Sequence, residues 1–259
     1  MGWATRVRVA GATNVGMKRS HNEDKFAVID EDQLYVVADG MGGHASGEVA
    51  SQMAIDTLRD FFRATSADPE ATWPYKMDKA RGYEENRLIT GIKLANLRIH
   101  EAAQRHPRLR GMGTTVVTLL MVSEGVLIGH VGDSRVYRLR QGQFQQLTED
   151  HSLLNDYIKM KRLSPEEIAN FPHKNVIVRA LGMKETVKVD VHMDKPQTGD
   201  RYVLCSDGLS GPCSDEEIRD IVSENDDLEL ACAKLIDAAN SKGGPDNITV
   251  VIAQVYEGS

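Results

Sequence analysis

Four stretches of this chain end an apolar, strand-like run on a carboxylate set in glycine-rich backbone. Leu34–Ala38 runs into Asp39-Gly40, with Gly42, Gly43 and Gly47 close behind. Val126–Val131 runs into Gly132-Asp133-Ser134-Arg135, and Tyr202–Cys205 into Ser206-Asp207-Gly208. Gly243-Gly244-Pro245 leads to Asp246-Asn247, which opens the last apolar run. Taken singly, Asp-Gly is an ordinary turn signal. Repeated at the edges of buried-strand patterns, it points to carboxylates brought together in one crevice.

With Asp24, these aspartates lack histidine or cysteine partners at ligand spacing. An all-oxygen donor set suits Mg²⁺ or Mn²⁺ rather than zinc, and converging carboxylates repel one another unless cations neutralise them. Two ions bridged by one carboxylate could lower the pKa of a shared water toward neutrality. They could also stabilise the attacking and leaving oxygens of an in-line phosphoryl displacement. Bound ions invert the local field, so a negative protein can still hold phosphate. Arg19, in Lys18-Arg19-Ser20-His21-Asn22-Glu23-Asp24, is the candidate phosphate ligand. Its guanidinium offers forked donors that phosphate oxygens accept. An isolated arginine reads as a solvated loop cation, and the adjoining Asn-Glu-Asp turns the reading away from that.

The elements that must position these residues follow from the hydrophobic pattern. Val7–Thr13 reads as a first strand, and Lys25–Ile29 with Gln33–Ala38 as a hairpin. A helix from Glu48 places Val49, Met53, Ala54, Leu58, Phe61 and Phe62 on one face. Ala64–Gly82, with two prolines and no period, reads as an exposed loop. There Trp73-Pro74-Tyr75 reads as an aromatic group folded back on its own domain rather than a partner site. A second helix covers about Tyr83–His106 and stops at Pro107. Thr114–Val122, Val126–Val131, Arg135–Arg140 and Gln143–Leu147 read as strands joined by hairpin turns. His151–Pro172 is polar and helical, Val187–Met193 and Arg201–Ser206 are strands, Asp215–Ser223 and Leu228–Ser241 helices, and Ile248–Val255 the last strand. Strand runs interrupted by helix pairs favour an α+β class. The simplest packing is two antiparallel sheets face to face, one helix pair on each outer face, in one domain over 1–259 with an inserted flap.

Composition narrows the function classes. The 259 residues are 41% hydrophobic and 27% charged with a net charge of −7, as in an ordinary globular domain. No basic stripe suggests nucleic-acid binding, no segment approaches the roughly 20 apolar residues of a membrane span, and MGWATRVRV has no signal-peptide core. A cytoplasmic location is expected. Cys205, Cys213 and Cys232 suggest neither a disulfide framework nor a zinc site.

Six motifs now stand in order: Gly16–Asp24 (GMKRSHNED), Val37–His44 (VADGMGGH), Gly111–Thr115 (GMGTT), Gly132–Arg135 (GDSR), Ser206–Gly208 (SDG) and Asp246-Asn247. Together, from about Arg8 to Val255, they resemble the metal-dependent Ser/Thr protein phosphatases, the PPM or type 2C family, and specifically its bacterial members. The resemblance implies a β-sandwich flanked by helices with a binuclear Mn²⁺/Mg²⁺ centre at one end. By motif position Asp39 is the bridging ligand and the Gly40 carbonyl a further one. Asp207 and Asp246 hold one ion, Glu23 and Asp24 belong to the first or second shell, and Asn247 to the second. Asp133 with Asp207 holds a third, weaker ion. Arg19 binds the substrate phosphate, and an activated water attacks with no phosphoenzyme. Some relatives carry a histidine directly after the Asp-Gly pair as general acid. Here Met41 stands in that place and His44 is the nearest histidine, so water remains an alternative acid. The segment of about 151–182 matches the family's flap beside the active site. The partners implied are phosphorylated proteins and a bacterial Ser/Thr kinase acting in opposition, with the protein itself a monomer.

Two other classes compete. Cys213 to Arg219 fits the Cys-x5-Arg spacing of cysteine phosphatases, but the residues between are acidic and lack glycine, and Ser214 or Asp215 capping a helix explains them better. Within the same fold, a regulatory switch acting on a partner protein through the same chemistry is an alternative, and the non-enzymatic class is a pseudophosphatase, a binding module with a dead site. Its signature, lost metal carboxylates, is absent from this sequence.

Overall fold

The alternation of side chains along the strands dictates the layers. A computed structural model describes residues 5–42, 46–68, 71–161, 164–169, 171 and 176–257. One sheet has the order β1-β11-β10-β7-β8, built from Thr5–Asn14, Ile248–Glu257, Arg201–Cys205, Arg135–Arg140 and Gln143–Gln146. The other has the order β2-β3-β5-β6-β9, built from Asp24–Ile29, Leu34–Met41, Val116–Val122, Gly125–Val131 and Asp190–Asp194, with the short β4 (Gly113–Thr114) on β3. Every pairing is antiparallel.

Strand β3 shows why its sequence is a continuous apolar run. Tyr35 and Val37 face the other sheet, packing with Val117, Leu119 and Ile128 opposite Tyr202, Leu204 and Val251. Leu34, Val36 and Ala38 point the other way, into a layer formed by α1 (Ser46–Ala67) and α2 (Tyr83–Arg105). Strand β11 divides likewise. Val251, Ala253 and Val255 enter the sandwich, while Ile248, Val250 and Ile252 meet α6 (Asp215–Glu224) and α7 (Leu228–Ser241). A period of two with both faces covered accounts for the near-continuous apolar runs. Each such Val or Ile contributes roughly 1.5–3 kcal/mol by burial. The α+β sandwich with a helix pair on each outer face is thus the architecture present.

The hairpins keep close registers. Arg140 pairs with Gln143 across Gln141-Gly142, both of which have positive φ, as a tight two-residue turn requires. Three features depart from the sequence reading. Segment 64–82 is not all exposed loop, because α1 continues to Ala67; Trp73, as expected, folds back on its own domain, packing on Phe61 and Tyr83 with ring centroids 5.9 and 5.1 Å away. Asp207–Ser210 forms a one-turn helix, α5, where only a strand end was expected. The region 151–182 contains α3 (Leu153–Lys161) and α4 (Pro165–Ala169), but its last residues belong to the core. Leu181 is fully buried and exchanges backbone hydrogen bonds with Thr114.

The extension of α1 has a specific cause. Arg87 of α2 donates to the Phe62 carbonyl (2.8 Å), Thr65 Oγ1 (2.8 Å) and Asp32 (2.9 Å), satisfying groups at the end of α1. Its guanidinium also stacks 4.2 Å from the Phe62 ring. The Arg87–Asp32 pair is almost wholly buried. Arg87→Ala strands the Asp32 carboxylate and is expected to lower unfolding free energy by about 3–5 kcal/mol. Urea denaturation, showing a lower midpoint at unchanged slope, is the check.

Candidate metal centre

Register brings the aspartates to one end of the sandwich. Asp24 opens β2 directly across the ladder from Asp39, near the end of β3. Cys205, last residue of β10, pairs with Val250 of β11 on one side and Arg135 of β7 on the other. The residues just outside those pairs, Asp207, Asp246 and Asp133, therefore emerge at the same edge. All four other carboxylates act electrostatically on Asp39.

Hydroxyl groups that the sequence reading did not single out hold this frame. The Asp39 carbonyl accepts from Thr115 N (2.8 Å) and Thr114 Oγ1 (2.9 Å), and Asp39 N donates to Thr115 Oγ1 (3.2 Å). Thr115 Oγ1 in turn pairs with Ser134 Oγ at 2.7 Å, linking Asp39 to the Asp133 turn. Ser206 Oγ donates to Asp24 Oδ2 (2.7 Å) and accepts from Thr249 N (3.0 Å). Their signal was the Gly111–Thr115 and Ser206–Gly208 motifs, whose hydroxyls stand beside the acidic positions.

Close backbone approach fixes the glycines. A Cβ on Gly40 would lie 2.2 Å from the Gly47 carbonyl oxygen and 2.5 Å from that of Glu23. On Gly208 it would lie 1.9 Å from the Asn247 carbonyl oxygen. Glu23 and Asn247 work mainly as ties. Glu23 N donates to Asn247 Oδ1 (2.8 Å), Asn247 Nδ2 donates to the Val15 and His21 carbonyls (2.9 Å each), and Glu23 Oε1 accepts from Gly47 N at the start of α1 (3.2 Å). These bonds clamp the loop that carries Arg19. Arg19 Nη2 reaches Asp246 Oδ2 at 2.8 Å, with the Arg19 side chain 52% exposed.

The electrostatics are those of crowded like charges. Asp24 is buried, and that burial pushes its pKa to about 6 despite the hydrogen bond from Ser206. Burial, then Asp207 and Asp150, lifts Asp133 to about 7. Asp39 is driven well above the carboxylate range by burial and by Asp24, Asp207, Asp133 and Asp246. Asp207 is raised by burial and then by Asp246. Asp24 Oδ1 and Asp133 Oδ1 are buried with no hydrogen-bond donor. Such orphan acceptors are rare. Hard oxygen donors, mutual repulsion and unsatisfied lone pairs together fit divalent cations of the Mg²⁺ or Mn²⁺ kind.

Beside the carboxylates lies a cleft of about 490 Å³ lined by Asp133, Asp207 and Asp246 together with Arg135, Ser152, Leu154 and Pro212. Met41 ends β3 opposite Gly113, and His44 lies outside the described residues. The cysteine alternative finds no support. Cys213 is buried with its thiol pKa pushed up by that burial, Ser214 and Glu217 form a capping box on α6, and Arg219 pairs with its neighbour Asp220.

Comparison with known proteins agrees with this geometry. The protein phosphatase 2C family matches residues 16–247. The serine/threonine phosphatase stp of Listeria welshimeri is 39% identical over 249 residues, covering 93% of each chain. The crystal structure of the Mycobacterium tuberculosis serine/threonine phosphatase PstP/Ppp superposes with a TM-score of 0.84 at 36% identity, covering 97% of this chain and 99% of that one. A structure of the PstP catalytic domain in complex with two manganese ions gives a TM-score of 0.80 at 34% identity, covering 98% and 100%. The chain belongs to the protein phosphatase 2C family, the metal-dependent serine/threonine protein phosphatases.

Proposed function

We propose that this chain hydrolyses phosphoserine and phosphothreonine in proteins at a binuclear Mn²⁺ or Mg²⁺ centre. Asp39 would serve as the ligand shared by the ions, Asp207, Asp246 and the Gly40 carbonyl would complete the main set, Asp24 lies beside them, and Asp133 with Asp207 would hold a third ion. The observation that carries this reading is the pair of buried, donorless oxygens on Asp24 and Asp133 within a cluster of mutually repelling carboxylates. When bound, such ions supply Lewis acidity, lowering the pKa of water toward neutrality and neutralising phosphoryl charge.

The chain's own residues supply the rest. Arg19 is half-exposed, so its pair with Asp246 is weak and its guanidinium is free to exchange that partner for a phosphate oxygen. Asn247 and Glu23 keep the Arg19 loop at the right height. With Met41 after Asp39-Gly40, the leaving oxygen would take its proton from water or from His44. The cleft flanked by Ser152 and Leu154 fits a phosphorylated side chain presented by a protein, and residues of about 151–182 act as the flap that governs access, within one catalytic unit spanning 1–259. We further place this protein opposite a Ser/Thr kinase, as a monomer in the cytoplasm. Among the described residues, no helix is long and apolar enough to cross a membrane.

Hydrolysis of an aryl phosphate and of a phosphothreonine peptide is expected to require added Mn²⁺, to stop with EDTA, and to vanish in Asp39→Asn. Activity surviving both treatments overturns the reading. Arg19→Ala is expected to lower kcat/KM by about 10²-fold while Mn²⁺ binding stays within about twofold. An unchanged kcat/KM would remove Arg19 from the phosphate site.

A third expectation concerns pH in chelated protein. The folded pKa values of Asp24 and Asp133 lie above the unfolded value of 3.8. The stability they contribute is therefore fully present below about pH 4 and lost as pH rises through about 6 to 7. Asp133→Asn is expected to converge with wild type toward pH 4 and to be more stable above pH 7, by roughly 2–4 kcal/mol. Excess Mn²⁺ is expected to reverse that order. Thermal melts with EDTA or Mn²⁺ across pH 4.5–8 read both arms.

A further inference from the structure

A second group of titratable side chains lies just behind Asp133, and the site described above does not use it. His130 of β6 and His151 stack with ring centroids 4.7 Å apart at 15°. Their ring nitrogens and the Asp190 carboxylate gather within 4.8 Å, a donor set that by itself suits zinc. The hydrogen bonds exclude that use. His130 Nε2 lies 3.0 Å from the Glu149 carbonyl, an acceptor, and so carries the proton. His151 Nδ1 accepts from the Gly132 N–H at 3.0 Å, which puts its proton on Nε2, 2.9 Å from Asp190 Oδ2. Arg179 Nη1 donates to the same oxygen at 3.0 Å and lies 2.9 Å from His151 Nε2. A guanidinium stands where a cation would sit, and both donors converge on one carboxylate oxygen.

The arrangement is a clamp, and what it grips is Gly132. His151 N donates to the Gly132 carbonyl (2.9 Å) while its Nδ1 accepts from the Gly132 amide, so one residue takes both backbone groups of the glycine before Asp133. Gly132 has φ +115, and a Cβ there would strike the Thr115 side chain at 2.6 Å, so this turn has one tolerated shape. The His151 carbonyl accepts from Val178 N (2.9 Å), and Leu153 N donates to the Val176 carbonyl (2.8 Å). Both stems of the α3–α4 segment therefore meet at His151. Burial holds His151 near pKa 4, neutral at physiological pH, which leaves the Nδ1 lone pair available. Burial alone would raise Asp190, but its hydrogen bonds from His151 and Arg179 outweigh that and hold it at about 2, a permanent anion for the clamp.

We propose that His151 is a positioning residue that ties the stems of the α3–α4 segment to the Gly132-Asp133 turn, so that the seating of this segment sets whether Asp133 is aimed at an ion. The inference rests on the reading of Asp133 as a metal ligand. It makes the flap a regulator of metal occupancy, acting through one imidazole, as well as a wall of the cleft.

Two substitutions separate the halves of the ring. His151→Asn retains an acceptor at the Nδ1 position and loses the reach to Asp190. His151→Gln retains the reach and loses the acceptor for Gly132. Isothermal titration of Mn²⁺ into the full chain, with Asp133→Asn identifying the ion that depends on Asp133, is the measurement. In His151→Gln that ion is expected to weaken about tenfold or more while the two tighter ions stay within about twofold. In His151→Asn it is expected to stay within about threefold of wild type. Arg179→Gln, which leaves His151 on Gly132 but frees the return stem, covers the case in which His151→Gln does not fold, and a severalfold weakening of the same ion is expected. Wild-type affinity for that ion in His151→Gln and Arg179→Gln, or equal losses in His151→Asn and His151→Gln, would overturn the positioning role. Wild-type protein that binds no Mn²⁺ would fail the metal-centre reading itself, a result distinct from either.

Discussion

Mutual repulsion among buried carboxylates is the constraint around which this molecule is built. Asp24, Asp39, Asp133 and Asp207 are each pushed above the ordinary carboxylate range by burial and by the charges of their neighbours. Left to itself, such a cluster would spread apart or take up protons. Here strand ends on two sheets fix the backbone, and hydroxyl groups and one amide pin the loops between them. The cost is met by the sandwich beneath, where β3 and β11 bury apolar side chains on both faces. Stability generated in the three apolar layers is spent at one edge, as is common where a site must hold unfavourable electrostatics.

The supporting bonds divide the labour by chemistry. Backbone groups of Asp39 are held by Thr114 and Thr115, leaving its carboxylate uncommitted to the protein frame. Ser206 satisfies one oxygen of Asp24 and leaves the other without a donor. Asn247 spends its whole amide on the Arg19 loop. Neutral donors thus position Asp24 and Asp39 without occupying every carboxylate oxygen, which leaves acceptors for cations.

Much of this was legible in the sequence. Asp39, Asp133, Asp207 and Asp246 announced themselves because each follows or precedes an apolar run, and antiparallel strands joined by tight turns bring such ends together. The helix pairs were legible from their 3.6-residue stripes. What escaped has physical reasons. The α5 turn is too short to carry a period. The reach of α1 to Ala67 depends on Arg87, a residue 20 positions downstream of that helix end, which no local propensity could weigh. Leu181, placed by sequence in a polar flap, belongs to the core because its backbone bridges to Thr114, a pairing distant in the chain. The clamp at His151 was invisible for the same reason. His130, His151, Arg179 and Asp190 share no spacing, only a place.

The topology also orders events during synthesis. Among the described residues, β1 has one ladder partner, β11, over ten paired positions. Of these strands β1 is made earliest, and it has no ladder partner until β11 is made. Asp246 precedes β11, and Arg19, which reaches it, follows β1. In the sheet around β3, β5 and β6 the hairpins β2–β3 and β5–β6 join sequence-adjacent strands, and β3 meets β5 across α1 and α2, whereas the β1–β11 ladder that completes the other sheet waits for the latest of the strands. A partly made chain accordingly has a core before it has a centre, and full competence arrives in one step with the docking of β11.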